Sequence, residues 1–387
     1  MFLKLLPLFV GLSLCAGSEH NLLQDQLKEN LDIIRPKTDD LAPDYSKEQV
    51  QKFFMVGDFG DYKHKENIDG MTDIMSQLAA QDTYDFILTV GDNFYPDGIE
   101  SMDDLDLPDN IMSFFQKDNI RDLKMFPILG NHDCFSDYYN QILYSDYNKQ
   151  WEMESDYYEL KYNLKDDPSK YLVILMTNTC LLACNTSFDL PLGDTGSDCD
   201  EMNVEIGEES VQIHYQWLEN KLKKYSKDPD VAWLGIAGHH PTIREASLKQ
   251  DLLPLVQKYK VDFYLTGHKH QFDYTNIGYD EGIRFPGSDR GPVLDDCDGK
   301  IVKEIMNTES RDQYFKKGEK LHQFMIGASG KKLRKICPYK DQDGHVYIQN
   351  VENSGLAIFE VDSKHFNVKY YNNEDLSYFY SVTISSE

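Results

Sequence analysis

The sequence predicts an α/β fold, and three observations predict it. Short apolar runs recur along the chain, each closed by a glycine-led polar turn; amphipathic stretches lie between them; three further runs near the C-terminus alternate with polar turns. Such runs are too short for core helices and too uniformly apolar for loops, so they read as buried strands.

In chain order, residues 1–17 carry Lys4, an apolar stretch and then the small Ala16 and Gly17, the pattern of a secretory signal peptide cleaved near that pair. Residues 18–50 are polar, with Pro36, Pro43 and many charges, and read as a loosely held N-terminal extension. The domain then runs over 51–387, with strands expected at 53–56, 86–90, 126–129, 172–176, 233–237 and 263–265. Val211, Tyr215, Leu218, Leu222 and Tyr225 recur at spacings of three and four, which predicts a half-buried helix just before the fifth strand. Runs at 356–361, 366–371 and 378–384 predict a closing antiparallel sheet. Stretches near 192–210 and 277–320 read as insertions.

A chain of 387 residues can bury a large core. Its net charge of −27 argues against nucleic acid as a partner and repels small anions, so any site for them needs local positive charge, which bound metal would supply. Past the leader no stretch is long and apolar enough to cross a bilayer, so no transmembrane anchor is expected. Removing the leader takes Cys15 and leaves Cys134, Cys180, Cys184, Cys199, Cys297 and Cys337, an even set that suits an oxidising compartment; disulfides and buried thiols both remain open. Asn185-Thr186-Ser187 is a glycosylation sequon.

Five strands end in a glycine-led motif: Gly57-Asp58-Phe59-Gly60-Asp61, Gly91-Asp92-Asn93-Phe94-Tyr95, Gly130-Asn131-His132-Asp133, Gly238-His239-His240-Pro241 and Gly267-His268-Lys269-His270. Singly each is an ordinary turn. Together they place five of the eleven histidines in three turns at strand ends, where open α/β sheets gather ligands. Carboxylate, phenolate and imidazole suit a hard trivalent iron, whereas carboxylate, amide oxygen and two imidazoles suit a divalent ion such as iron, zinc or manganese. A bridging carboxylate would keep the pair close enough for one phosphate ester to span them.

This set resembles the calcineurin-like metallophosphoesterases, and Tyr95 within its motif narrows the resemblance to the purple acid phosphatases of the small tartrate-resistant type. It runs from about residue 53 to the end, includes Phe324-Met325-Ile326-Gly327-Ala328-Ser329-Gly330, and is interrupted by the two insertions. It implies a four-layer α/β/β/α sandwich of two mixed sheets with the site at the strands' carboxyl edge. It also implies a binuclear centre: Fe(III) on Asp58, Asp92, Tyr95 and His270, and a divalent ion on Asp92, Asn131, His239 and His268, with Asp92 bridging. His132 would contact the phosphate, to stabilise developing charge or protonate the leaving alkoxide, and Asp133 would orient His132; where the chain departs from that group, His240 is a second candidate for proton delivery.

The implied activity is hydrolysis of small phosphomonoesters or phosphoproteins by in-line attack of a metal-bound hydroxide. The implied setting is a monomer, secreted or lysosomal or vacuolar. The chain departs from that group in four places: His240 stands where tyrosine is common, 242–249 lacks a second histidine, Asp61 replaces a glycine, and an insertion follows His270. A phosphodiesterase or nucleotide hydrolase is the second reading, and a scaffold or adhesion protein that keeps the fold without useful turnover is the third. Lys331, Lys332, Arg334 and Lys335 form a basic run that reads as a solvated loop or as a draw for phosphorylated substrates.

Overall fold

The computed structural model describes residues 49–183, 208–243, 248, 251–281, 303–334, 336 and 345–387. The leader, most of the extension, most of the 192–210 stretch, the sequon, Cys184, Cys199, Cys297 and Cys337 lie outside the described residues.

Among the described residues, the strands form two mixed sheets. The first has the order β1-β5-β6-β7-β8-β12-β9-β13-β10, built from Gln49–Val50, Tyr158–Leu164, Tyr171–Met176, Val231–Ala237, Phe263–Thr266, Lys320–Ile326, Phe272–Gly278, His345–Asn350 and Glu304–Met306. The second has the order β11-β16-β15-β14-β2-β3-β4, built from Asp312–Lys316, Tyr378–Ser385, His365–Asn372, Gly355–Val361, Lys52–Val56, Phe86–Thr89 and Lys124–Phe126. Each sheet has a parallel block, β6-β7-β8-β12 inside the first and β2-β3-β4 at one edge of the second. The predicted C-terminal strands β14, β15 and β16 do pair antiparallel, and β14 joins them to β2.

The two sheets face each other across an aromatic layer. Phe263 of β8 stacks on Phe366 of β15 at 4.3 Å, Phe86 of β3 on Tyr162 of β5 at 5.1 Å, and the Tyr370 hydroxyl of β15 donates to the carbonyl of Asp273 in β9. Strand periodicity assigns the faces: Leu172, Ile174 and Met176 point into this layer, while Val173 and Leu175 point outward. The outward face meets Leu218 and Leu222 of helix Glu208–Tyr225, where the predicted apolar stripe lies, and Leu252 and Val256 of helix Leu252–Lys258. Helix Lys65–Ala79 packs Ile68, Met71 and Met75 into the core of the second sheet. The expected two-sheet α/β architecture is present.

Two details differ from expectation. The strand expected at 126–129 is β4, Lys124–Phe126; beyond Pro127, Ile128 N–H still donates to the Thr89 carbonyl at 3.3 Å, so the chain stays beside β3 up to the Asn131 turn. Where it is described, the stretch near 277–320 carries β10 and β11, one edge strand for each sheet.

Candidate metal centre

Every predicted donor lies in the turn that follows a strand: Asp58 after β2, Asp92 and Tyr95 after β3, Asn131 after β4, His239 after β7, and His268 and His270 after β8. Backbone bonds tie these turns together. Asp58 N–H donates to the Gly91 carbonyl at 3.0 Å, Tyr95 N–H to that of Gly60 at 3.1 Å, and Gly267 N–H to that of His239 at 3.0 Å. The turns are tight enough to force unusual backbone: φ is 54° at Asp58, 52° at Asp92, 74° at His268 and 43° at His270. Left-handed conformations cost a non-glycine residue about 1–3 kcal/mol each and cluster at functional sites. Close approach explains two of the glycines. A Cβ on Gly130 would lie 2.2 Å from Asp92 Oδ1, and Gly91, at φ 88°, has the His239 ring against its Cα.

The donors fall into two groups that share Asp92. In the first, the Tyr95 hydroxyl lies 2.6 Å from Asp92 Oδ2, 3.5 Å from Asp58 Oδ1 and 3.4 Å from His270 Nε2, and His270 Nε2 lies 3.4 Å from Asp58 Oδ1. In the second, Asn131 Oδ1 lies 3.1 Å from both His239 Nε2 and His268 Nδ1, and His239 Nε2 lies 3.4 Å from Asp92 Oδ1. Asp92 thus turns one oxygen to each group. His239 donates from Nδ1 to the Val90 carbonyl at 2.7 Å, which fixes its tautomer and leaves the Nε2 lone pair facing the other donors.

Electrostatics show that this donor set fits metal. Asp58 and Asp92 are buried beside each other, donor atoms of both and of His239 lie within 4.8 Å of one another, and the ion pairs described for the two carboxylates are with histidine. Burial and the Asp92 charge push the Asp58 carboxyl well up. Burial also raises Asp92, but His239, His132 and the Tyr95 hydrogen bond outweigh it and bring that group down to about 2. Burial lowers His239 and takes His268 well below its ordinary value, and burial with Arg334 nearby lowers His270 to about 3. Two buried carboxylates, one raised by the charge of the other, beside imidazoles whose protonation burial disfavours, form a set that a bound cation would relieve.

The three residues expected to act on substrate are placed differently from one another. His132 is half-exposed, lies tilted against the Tyr95 ring with centroids 4.3 Å apart and donates from Nδ1 to the Pro96 carbonyl at 2.6 Å. No hydrogen bond joins it to Asp133 among the described residues. That carboxylate is fully buried and accepts from the Asn93, Phe94 and Gly130 N–H groups and the Asn93 and Gln141 amides, so it braces the second and third turns against each other. His240 has no accessible surface; its Nδ1 lies 2.9 Å from Thr179 Oγ1 and its ring 4.6 Å from that of His268, behind the donors rather than at the mouth. Thr179 belongs to helix Thr179–Ala183, and a Cys134–Cys180 disulfide joins that helix to the Asn131 turn.

Sequence reasoning passed over this brace, although Cys134 follows the third motif directly. The segment at 329–334, read from sequence as the end of a shared motif and the start of a basic run, packs onto the donor turns: Gly57 N–H donates to Ser329 Oγ, Lys331 N–H to the Asp58 carbonyl and Arg334 N–H to that of His270.

The family profile of calcineurin-like phosphoesterases matches residues 51–272, more than half of the chain and all seven donors. The chain belongs to the calcineurin-like phosphoesterases. Among curated relatives of this phosphoesterase, tartrate-resistant acid phosphatase type 5 of Rattus norvegicus is 29% identical over 217 residues, 54% of this chain and 62% of the relative. The Sus scrofa protein of that name is 27% identical over 260 residues, 64% of this chain and 71% of the relative. The chain therefore spans about three fifths of the rat protein's length.

Solved structures share the phosphoesterase's fold. GAP50, described as the anchor in the inner membrane complex of Plasmodium, superposes with a TM-score of 0.60 at 16% identity, over 87% of this chain and 89% of that one. The purple acid phosphatase PPD1 of yellow lupin gives 0.53 at 15%, over 88% and 54%. No helix among the phosphoesterase's described residues is long and apolar enough to cross a membrane.

Proposed function

We propose that this phosphoesterase hydrolyses phosphate monoesters, small ones or those on phosphoproteins, at a binuclear centre of Fe(III) and a divalent iron, zinc or manganese ion. The observation that carries this reading is the carboxylate of Asp92, whose two oxygens face two different donor groups. Asp58, Asp92, Tyr95 and His270, richer in anionic oxygen, are assigned to the trivalent ion; Asp92, Asn131, His239 and His268 are assigned to the divalent one. When bound, such a pair supplies Lewis acidity, neutralises phosphate charge and makes water nucleophilic at low pH.

The chain's own residues supply the rest. With Nδ1 committed to Pro96, a protonated His132 offers Nε2–H to a phosphoryl or leaving-group oxygen. Asp133 sets the distance between the Asp92 and Asn131 turns, and His240, held by Thr179, supports His268 from behind. The N-terminal apolar run and the disulfide favour a secretory route, extracellular or lysosomal or vacuolar.

The test is turnover of a chromogenic phosphate monoester and the matching diester from acid to neutral pH, beside an Asp92→Ala variant. Faster monoester hydrolysis, lost in the variant, is expected. Preference for the diester would move the assignment to phosphodiesterase, and a folded, metal-loaded chain without turnover would move it to a scaffold.

A further inference from the structure

Two features left over from the metal centre meet each other: Asp61, beside the first ligand, and the basic run that begins at Lys331. Lys331 Nζ lies 3.1 Å from Asp61 Oδ2 and 3.8 Å from the centroid of the Tyr95 ring. Both partners are largely withdrawn from solvent, with side-chain exposures of 26% for Lys331 and 6% for Asp61. The backbone beneath is locked as well. Lys331 N–H donates to the Asp58 carbonyl at 2.8 Å, Asn67 Nδ2 donates to the Gly330 carbonyl at 3.1 Å, and a Cβ on Gly330 would lie 2.2 Å from the Phe59 carbonyl oxygen. An ammonium free to follow solvent would not be pinned at both ends over one aromatic face.

We propose that Lys331, held in place by Asp61, is a positioning residue that sets how strongly the Tyr95 oxygen donates electrons to the ion it binds. The inference rests on the reading of Tyr95 as a ligand of the trivalent ion. Tyr95 sits against the Asp92 carboxylate at 2.6 Å, an environment that enriches a phenolate in electron density. A cation on the ring face pulls the other way, stabilising the phenolate π electrons more than it does the more distant metal orbitals. Asp61 fixes the distance and thus the size of that pull, which gives the aspartate at this position a use.

The test loads the full chain with ferric iron and zinc, which is spectroscopically silent, and records the phenolate-to-iron charge-transfer band and the ferric midpoint potential. Lys331→Met keeps the stem and removes the charge. It is expected to move the band to longer wavelength by on the order of tens of nanometres and to lower the potential. Lys331→Arg is expected to hold both near their original values, and Asp61→Asn to shift both in the Met direction by less. An iron-bound Lys331→Met protein whose band and potential stay put, with only KM raised, would overturn the proposal and make Lys331 a substrate contact. If Lys331→Met fails to fold, an unmoved band in Asp61→Asn overturns it equally. A band absent from the unsubstituted iron-loaded chain, or one that survives in Tyr95→Phe, removes the ligand assignment itself and the inference with it.

Discussion

The two donor groups that meet at Asp92 are built differently. The Asp58, Tyr95 and His270 group holds the acidic oxygen donors and its rim reaches solvent: Asp58 and Tyr95 are buried, but His270 is partly exposed, half-exposed His132 flanks Tyr95, and Lys331 covers it. The Asn131, His239 and His268 group is neutral and buried, backed by His240, Thr179 and the disulfide. Anionic oxygens gather where a highly charged ion is assigned, and neutral nitrogens and an amide where a softer one is. On the proposed assignment, donor charge would discriminate the two ions, with the shared carboxylate at the boundary.

The largest effect should come from breaking that boundary. Asp92→Asn removes the charge common to both groups, and monoester turnover is expected to fall by on the order of a thousandfold. Single-group variants sharpen the contrast. Tyr95→Phe should lose the trivalent ion and keep the divalent one, and Asn131→Ala should do the reverse. Each affinity should drop by more than the roughly ten- to hundredfold that losing an outer partner costs, as read by elemental analysis after dialysis.

The disulfide ties down the buried group alone. Replacing Cys134 and Cys180 by serine opens a loop closed across a sequence separation of 46, which the chain-entropy relation values at about 4 kcal/mol. Denaturant unfolding should show a loss of that order, together with weaker retention of the divalent ion than of the trivalent one.

The smallest effect concerns a buried histidine outside both groups. His322 bonds the Tyr274 hydroxyl through Nδ1, its Nε2 has no partner among the described residues, and burial, with Lys320 nearby, lowers it from 6.5 to about 3. The unfolded chain therefore takes up the proton first. The stability from neutral His322 is complete above pH 6.5 and is lost as pH falls toward 3, by about 2 kcal/mol at pH 5. His322→Gln should flatten the decline of the thermal midpoint between pH 7 and 5, with metal bound or removed.

The donors were legible because they follow apolar strands in glycine-led turns, a pattern that survives without coordinates. Other parts were not, for identifiable reasons. β5 alternates Tyr158, Leu160, Tyr162 and Leu164 with polar residues, a half-buried signal that a search for continuous apolar runs passes by. β9 reads as polar, yet Asp273, Thr275 and Asn276 are buried; Asp273 accepts from Gln271, Thr275 and Gln349, which compensates for its burial. The resemblance implies an orienting role for Asp133, whereas five N–H donors from residues distant in the chain or across the turn decide where its carboxylate points. The pairing of Asp61 with Lys331 spans most of the chain, and nothing local signals it.

The most direct test of the shared-carboxylate account is metal content per chain, measured on the purified, metal-saturated protein and on Asp92→Ala. Two ions in the first, one of them trivalent, and fewer than one tightly held in the second are predicted. Two ions retained by Asp92→Ala, or a single ion in the unsubstituted chain, would contradict it.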